Sequence, residues 1–322
     1  MTAFDLTTEH IEQRNSVTDS ARMGTRIEEY RTREARENPE LLIQADASRA
    51  APAGDIPEIQ AAELNAETLA DAVQRHGALI VRGMFSATSM DTLRAAADQV
   101  IDACEDPDAD KTAERTHYFN PPGNLRTVMP NKDRELGNTR NFHRTSGSAM
   151  CVEAPSVAEA LLEFYEQYGL KELVTEYLGE APCLTVKKWV LRRSLLPVAE
   201  AGWHQDGAFM GTDINTINLW IPLNECGSTT GAPGMDVVPQ RLFGIASAEG
   251  AQFEWSVSDS HVQGGANEPI APEFQAGDAF FFDHLFLHRT QYREDFTKTR
   301  YAIETWFFGE TTFPKNQIPL AW

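Results

Sequence analysis

A histidine and an aspartate lie two residues apart in Trp203-His204-Gln205-Asp206-Gly207, and a further histidine, His288, follows far downstream. Side chains alternate sides along an extended segment, so His204 and Asp206 share a face and both can reach one ion. His288 can join them only in a fold that lays a strand near residue 288 beside one near residue 204. Two imidazoles and one carboxylate form the facial set that holds non-heme Fe(II) and leaves its remaining positions open. A lone His-x-Asp recurs by chance, so the surroundings must carry the reading.

Those surroundings are Gly277-Asp278-Ala279-Phe280-Phe281-Phe282-Asp283-His284-Leu285-Phe286-Leu287-His288-Arg289-Thr290 and then Thr299-Arg300-Tyr301-Ala302-Ile303. On one strand His284 and His288 would share a face, and spacing alone does not choose between them. The arrangement resembles the phytanoyl-CoA dioxygenase-like branch of the Fe(II)/2-oxoglutarate oxygenases. In that branch a Gly-Asp turn opens a strand ending in the distal histidine, a Ser or Thr follows shortly after, and an Arg comes further on. Gly77-Ala78-Leu79-Ile80-Val81-Arg82-Gly83-Met84-Phe85 is similar to the family's opening, so the resemblance covers about residues 56 to 310.

The resemblance implies iron ligation by His204, Asp206 and His288, because Thr290 and Arg300 fit the family only when counted from His288. It implies that Arg300 grips the distal carboxylate of 2-oxoglutarate, a task suited to a guanidinium, which binds carboxylates in bidentate fashion. Thr290 would donate a hydroxyl, and Trp220 with Asn218 on the same strand face would wall the pocket. Of the basic edge Lys187, Lys188, Arg192 and Arg193, one inward member, assigned to Lys187, would meet the cosubstrate. The implied reaction consumes O2 and 2-oxoglutarate, releases succinate and CO2, and hydroxylates an unactivated C–H bond. A non-catalytic sensor of the same fold and a 2-oxoglutarate-independent facial-triad oxygenase are the alternatives.

A chain of 322 residues with 42% hydrophobic content, 17 Phe and 6 Trp can fill a large core, and one elaborated domain is expected. The formal net charge of -20 repels phosphate backbones and anionic membranes, which argues against a nucleic-acid partner. No apolar run reaches the ~18 residues that a membrane helix needs, and the start Met1-Thr2-Ala3-Phe4-Asp5 lacks signal-peptide features, so a cytoplasmic enzyme is expected. Cys104, Cys151, Cys183 and Cys226 lie far apart and predict reduced core thiols.

Residues 1–55 read as a polar N-terminal arm and linker, with helical propensity over 27–36 but little apolar face and a Pro/Gly-containing connection at 50–55. Residues 56–322 read as a single oxygenase domain, helical and lid-forming over 56–182 and a jelly-roll core over 183–310. Asn65 caps a helix that stops at Gly77, and Ser156 with Glu159 forms a capping box. Strands are expected over 184–192, 214–223, 235–239, 277–288 and 300–308. Short strands at this spacing suggest a sandwich or jelly roll. With the resemblance they give the expected fold class: mainly β with flanking helices (α+β), around a cupin-like double-stranded β-helix. The expected substrate is a small metabolite that is not polyanionic, roofed by Phe142, His143 and Arg144 and by Met210.

Overall fold

The computed structural model describes residues 4–43, 54–105, 112–126, 136–265 and 268–322. The chain begins with α1 (Thr8–Glu12) and α2 (Ser16–Arg31), and Asn15 caps α2 by accepting from the backbone N–H groups of Val17 and Thr18. Met23, Ile27 and Tyr30 recur at helical spacing and are buried, so α2 has the apolar face that a window over 27–36 conceals. Arg26 fixes the helix on the body through Glu159 at 2.8 Å and the carbonyl of Ala321 at 3.2 Å.

After β1 (Glu58–Gln60) comes α3 (Ala66–His76), capped by Asn65, whose side chain accepts from Thr68 N–H, and ended by Gly77 in the left-handed region at φ 86°. The strand β2 (Ala78–Arg82) leads to α4 (Ala87–Glu105), α5 (Ala113–Tyr118), α6 (Leu136–Thr145), β3 (Ser148–Met150), α7 (Pro155–Gln167) and α8 (Leu170–Leu178). The expected capping box does not form at α7. Pro155 takes the first helical position, where its missing N–H is no loss, and Glu159 turns instead to Arg26.

The β-rich half runs β4 (Pro182–Thr185), β5 (Trp189–Arg193), β6 (Trp203–His204), α9 (Gly207–Met210), β7 (Thr216–Pro222), β8 (Met235–Val237) and β9 (Ser256–Val257). It continues through α10 (Asp259–Gln263), β10 (Ala279–Phe282), β11 (His288–Thr290), β12 (Tyr301–Gly309) and β13 (Pro319–Ala321). Two expected strands are broken. A turn after Thr185 separates β4 from β5, and the 277–288 run divides into β10 and β11, which belong to different sheets.

Among the described residues nine strands form one sheet along the path β1-β2-β10-β7-β12-β4-β13, with β5 bridging β12 and β3; the other sheet is β8-β11-β6-β9. The large sheet is buried on both faces. Along β12, Ile303 and Phe307 enter the core shared with α3, α4, α7 and α8, while Ala302, Trp306 and Phe308 join Trp220, Phe280 and Phe282 on the opposite, inner side. The result is a jelly-roll core, mainly β, with helices packed outside. All four cysteines are buried and unpaired. Among the described residues no helix is long and apolar enough to cross a membrane. Residues 44–53, which hold most of the expected linker, and 106–111 and 127–135 of the expected lid lie outside the described residues.

Candidate metal centre

The single residue pair joining β11 to β6 is His288 opposite His204, which brings the two rings to 4.5 Å between centroids. β6 ends at His204, and Asp206 takes a helical backbone at φ -61°, ψ -25° as the first turn of α9 begins. Strand alternation therefore does not aim the pair. The turn does, held by Gly207 N–H donating to the carbonyl of His284 at 2.8 Å. A Cβ on Gly207 would meet Ile245 at 2.9 Å and His284 at 3.0 Å, so glycine lets the turn sit that close. Between the two, Gln205 points the other way, donating to the carbonyls of Gly244 and Leu285 and accepting from Ala246 N–H.

One ligand atom each from His204, Asp206 and His288 lies within 4.8 Å of the others. Nδ1 of His204 donates to the carbonyl of Gly202 and Nδ1 of His288 to that of Phe286, each at 3.0 Å. A carbonyl only accepts, so both Nδ1 atoms carry a proton, and in the neutral ring that tautomer leaves the Nε2 lone pair for a metal. Nε2 of His288 faces Oδ2 of Asp206 at 3.5 Å. Two electron-rich atoms set so close repel unless a cation or proton lies between them, so this donor set fits a divalent ion.

Burial, with His204 nearby, pushes His288 down to about 4, so its ring is neutral at pH 7 and no proton competes for its Nε2. For Asp206 burial acts to raise the pKa, but Lys188, His288 and His204 together bring it down to about 2. Lys188 is the nearest of these, with Nζ donating to Oδ1 of Asp206 at 2.8 Å. Of the basic edge it is Lys188 that reaches the cluster, by way of Asp206. β5 pairs with β12 so that Val190 lies opposite Glu304 and Arg192 opposite Ala302, which puts the even-numbered residues on the inner face. Arg192 there donates to Glu304 at 2.7 Å, while Arg193 turns outward to Asp98 and Asp102.

Beyond the cluster, Arg300 is buried at the start of β12, and burial lowers its pKa to about 10. Nη1 donates to the carbonyl of Gly234 at 2.9 Å, whereas Nε has no partner among the described residues. A buried guanidinium without a carboxylate is costly, and a dianionic ligand is what such a cradle fits. The ring of Trp220 lies 5.8 Å from the guanidinium carbon. Thr290 lies opposite Met235, next to the Gly234 that Arg300 holds. Asn218 is buried on the inner side between Phe282 and Trp306, and its Oδ1 is unpartnered.

His284, four residues before His288, lies in the turn between sheets and not on a strand with it. It is buried and stands outside the three-residue cluster. Of the expected roof, His143 reaches the interior: burial and then Arg192 push its pKa down to about 3. Phe142 on the same helix is 64% exposed and faces away. Arg144 lies in the field of Cys104 and Glu153 on the helical side. Met210 is buried with Ile214 and Phe313 in the inner core.

Sequence reasoning assigned no role to Phe209 and Trp255, which flank His204, or to Phe253, which stacks on Trp255. Trp255 packs edge-on against His204 at 5.9 Å, Phe209 stacks on it at 6.4 Å, and Phe253 lies parallel to Trp255 at 4.9 Å. Two aromatics in the otherwise polar run 246–256 are the signal that could have revealed them.

The profile of the phytanoyl-CoA dioxygenase (PhyH) family matches residues 73–292, from the end of α3 through β11. No curated protein matches the chain significantly. Among solved structures, EctD from S. alaskensis with 2-oxoglutarate and 5-hydroxyectoine aligns with 87% of this chain and 86% of its own at TM-score 0.52 and 16% identity. EctD with bound Fe aligns over the same shares at TM-score 0.52 and 15% identity. The epimerase SnoN in complex with Fe3+, alpha ketoglutarate and nogalamycin RO aligns with 78% of this chain and 86% of its own at TM-score 0.48 and 13% identity. At these identities the likeness to EctD is one of fold.

Proposed function

The chain belongs to the phytanoyl-CoA dioxygenase family and is an iron- and 2-oxoglutarate-dependent oxygenase, and from that premise we propose that it hydroxylates an unactivated C–H bond of a small-molecule substrate. His204, Asp206 and His288 hold Fe(II). Arg300 holds the distal carboxylate of 2-oxoglutarate, with Thr290, Trp220 and Asn218 around it. The observation that carries this reading is the pairing of the three-residue cluster with a buried guanidinium whose Nε has no protein partner.

When bound, Fe(II), 2-oxoglutarate and O2 together supply an oxidant strong enough to break a C–H bond, with succinate and CO2 as coproducts. The chain's own contribution is geometric. The two Nδ1–H bonds to backbone fix both imidazole rings, and Lys188 occupies one oxygen of Asp206 so that the carboxylate presents the other. Burial of Asp206 and His288 excludes water on that side, and the more exposed His204 leaves access from the other. The formal net charge of -20 disfavours polyanions as substrates. EctD, with the same fold, is crystallised with a hydroxylated small molecule beside 2-oxoglutarate, which supports a small-molecule substrate here.

The test is anaerobic titration with Fe(II) and then 2-oxoglutarate, followed by oxygen and measurement of succinate. One equivalent of iron, a cosubstrate-dependent optical change and succinate formation are expected. Binding of both without succinate would mark a sensor, and turnover that ignores 2-oxoglutarate would mark a different oxygenase.

A further inference from the structure

The exposed side of the metal cluster carries large apolar side chains that folding leaves in solvent. Trp255 is 38% exposed and Phe253 44%, and with the half-buried Phe209 they form a continuous aromatic shelf against His204. The shelf is held in shape. Ser256, opposite His204 in β9, donates its backbone N–H and its hydroxyl to the carbonyl of Phe253, while Phe253 N–H donates to Ser256 Oγ. An ordered aromatic patch beside a reaction centre is what a binding site requires.

Charge narrows the class of occupant. The three segments around His204, residues 199–202, 207–213 and 244–256, contain Glu200, Asp213, Glu249 and Glu254 and no Lys or Arg; Lys315 lines a cavity together with Phe209 and Asp213, so the carboxylates outnumber the cation there. The inward cations behind them are already paired, Lys188 with Asp206 and Arg192 with Glu304. Aromatic faces attract cations, and Phe209 already carries the ammonium of Lys188 at 4.1 Å from its ring centroid.

We propose that the primary substrate docks on the shelf of Phe209, Phe253 and Trp255, and that it is a small cationic molecule with an apolar or ring-bearing body. This rests on the reading of His204 as an iron ligand, because adjacency to that residue makes the shelf a substrate site. The shelf aligns the apolar body with the open side of the metal, and the excess of carboxylates in the flanking segments favours a positive charge over a negative one.

The test is binding, measured by tryptophan fluorescence under anaerobic conditions on the protein loaded with Fe(II) and 2-oxoglutarate. The probes are benzyltrimethylammonium, benzyl alcohol and phenylacetate. The cation should bind saturably and most tightly, the alcohol more weakly and the carboxylate not at all. Phe253→Ala and Trp255→Ala should each weaken the cation about tenfold, while Trp255→Phe should keep binding within about threefold of wild type. Calorimetry replaces fluorescence where Trp255 is changed. Equal binding of phenylacetate, or unchanged cation binding in both alanine variants, overturns the proposal. Iron titration of the same samples separates the two possible failures: lost or unselective probe binding with iron retained sinks the shelf alone, whereas absence of iron binding sinks the metal centre and the shelf with it.

Discussion

Lys188 donates to Oδ1 of Asp206 at 2.8 Å, and the oxygen left over, Oδ2, is the one that faces Nε2 of His288 at 3.5 Å. The ammonium thereby decides which carboxylate oxygen is offered to a metal and discourages bidentate ligation, which would close one of the positions needed for chemistry. Lys188→Met should lower Fe(II) affinity by about 10–100-fold, the usual range for losing a residue that orients a ligand. Anaerobic iron titration reads this directly, and an unchanged affinity would remove Lys188 from the centre.

His288 and His284 are separated by the same measurement. His288→Ala should abolish stoichiometric iron binding because it removes one of three ligands. His284→Ala should retain it, since His284 lies in the turn outside the cluster. The reverse pattern would show that the distal ligand had been misassigned.

At Arg300, lysine offers a point charge in place of a planar fork and cannot reproduce a bidentate grip. Arg300→Lys should raise the apparent KM for 2-oxoglutarate tenfold or more, by the order of a lost charge-assisted hydrogen bond, and leave that for the substrate nearly unchanged. Steady-state kinetics with each substrate varied in turn would expose an equal effect on both.

His143 gives a pH dependence with a definite sign. Burial holds its pKa at about 3 in the folded chain against 6.5 in an ordinary histidine, so the unfolded chain takes up the proton first. The contribution is therefore complete above pH 6.5 and is lost progressively as the pH falls toward 3. In urea unfolding across this window His143→Asn should show a shallower loss of stability than wild type; parallel curves would contradict the assignment.

Arg241 and Asp283 form an ion pair at 2.6 Å with side chains 0% and 1% exposed. Arg241→Met alone should destabilise by about 3–5 kcal/mol because it strands a buried carboxylate, and adding Asp283→Leu should restore part of that. Denaturant midpoints of the two variants provide the comparison, and a double variant worse than the single would refute the argument.

The clustering of His204, Asp206 and His288 was legible in the sequence because it depends on side-chain type and on order along the chain, both of which can be read before the fold is known. The same holds for α3, where Asn65, Leu69, Val73 and Gly77 mark the start, the face and the stop. What was hidden depended on placement and on breaks. Lys187 and Lys188 lie in the turn before β5 and are indistinguishable until the fold carries Lys188 to Asp206, and the largely apolar run from Ala279 to His288 conceals the turn after Phe282 that sends its two halves to different sheets. The aromatic shelf was invisible for a third reason: Trp255, with Phe253 stacked on it, is brought to His204 by the two-residue pairing of β9 with β6.

Gly77 ends α3, whose apolar face packs into the outer core, yet it is tied to the metal cluster by a short chain of contacts. Its carbonyl accepts from Asp283 N–H at 3.4 Å, and a Cβ at Gly77, already strained at φ 86°, would come within 2.9 Å of the Phe286 ring. Phe286 in turn stacks on His288 at 6.3 Å and holds its Nδ1 through a backbone carbonyl. A genetic screen for inactive variants would therefore return this helix terminus alongside the ligands themselves, and a geneticist mapping such alleles would find the centre's footprint reaching well past the residues that can touch iron.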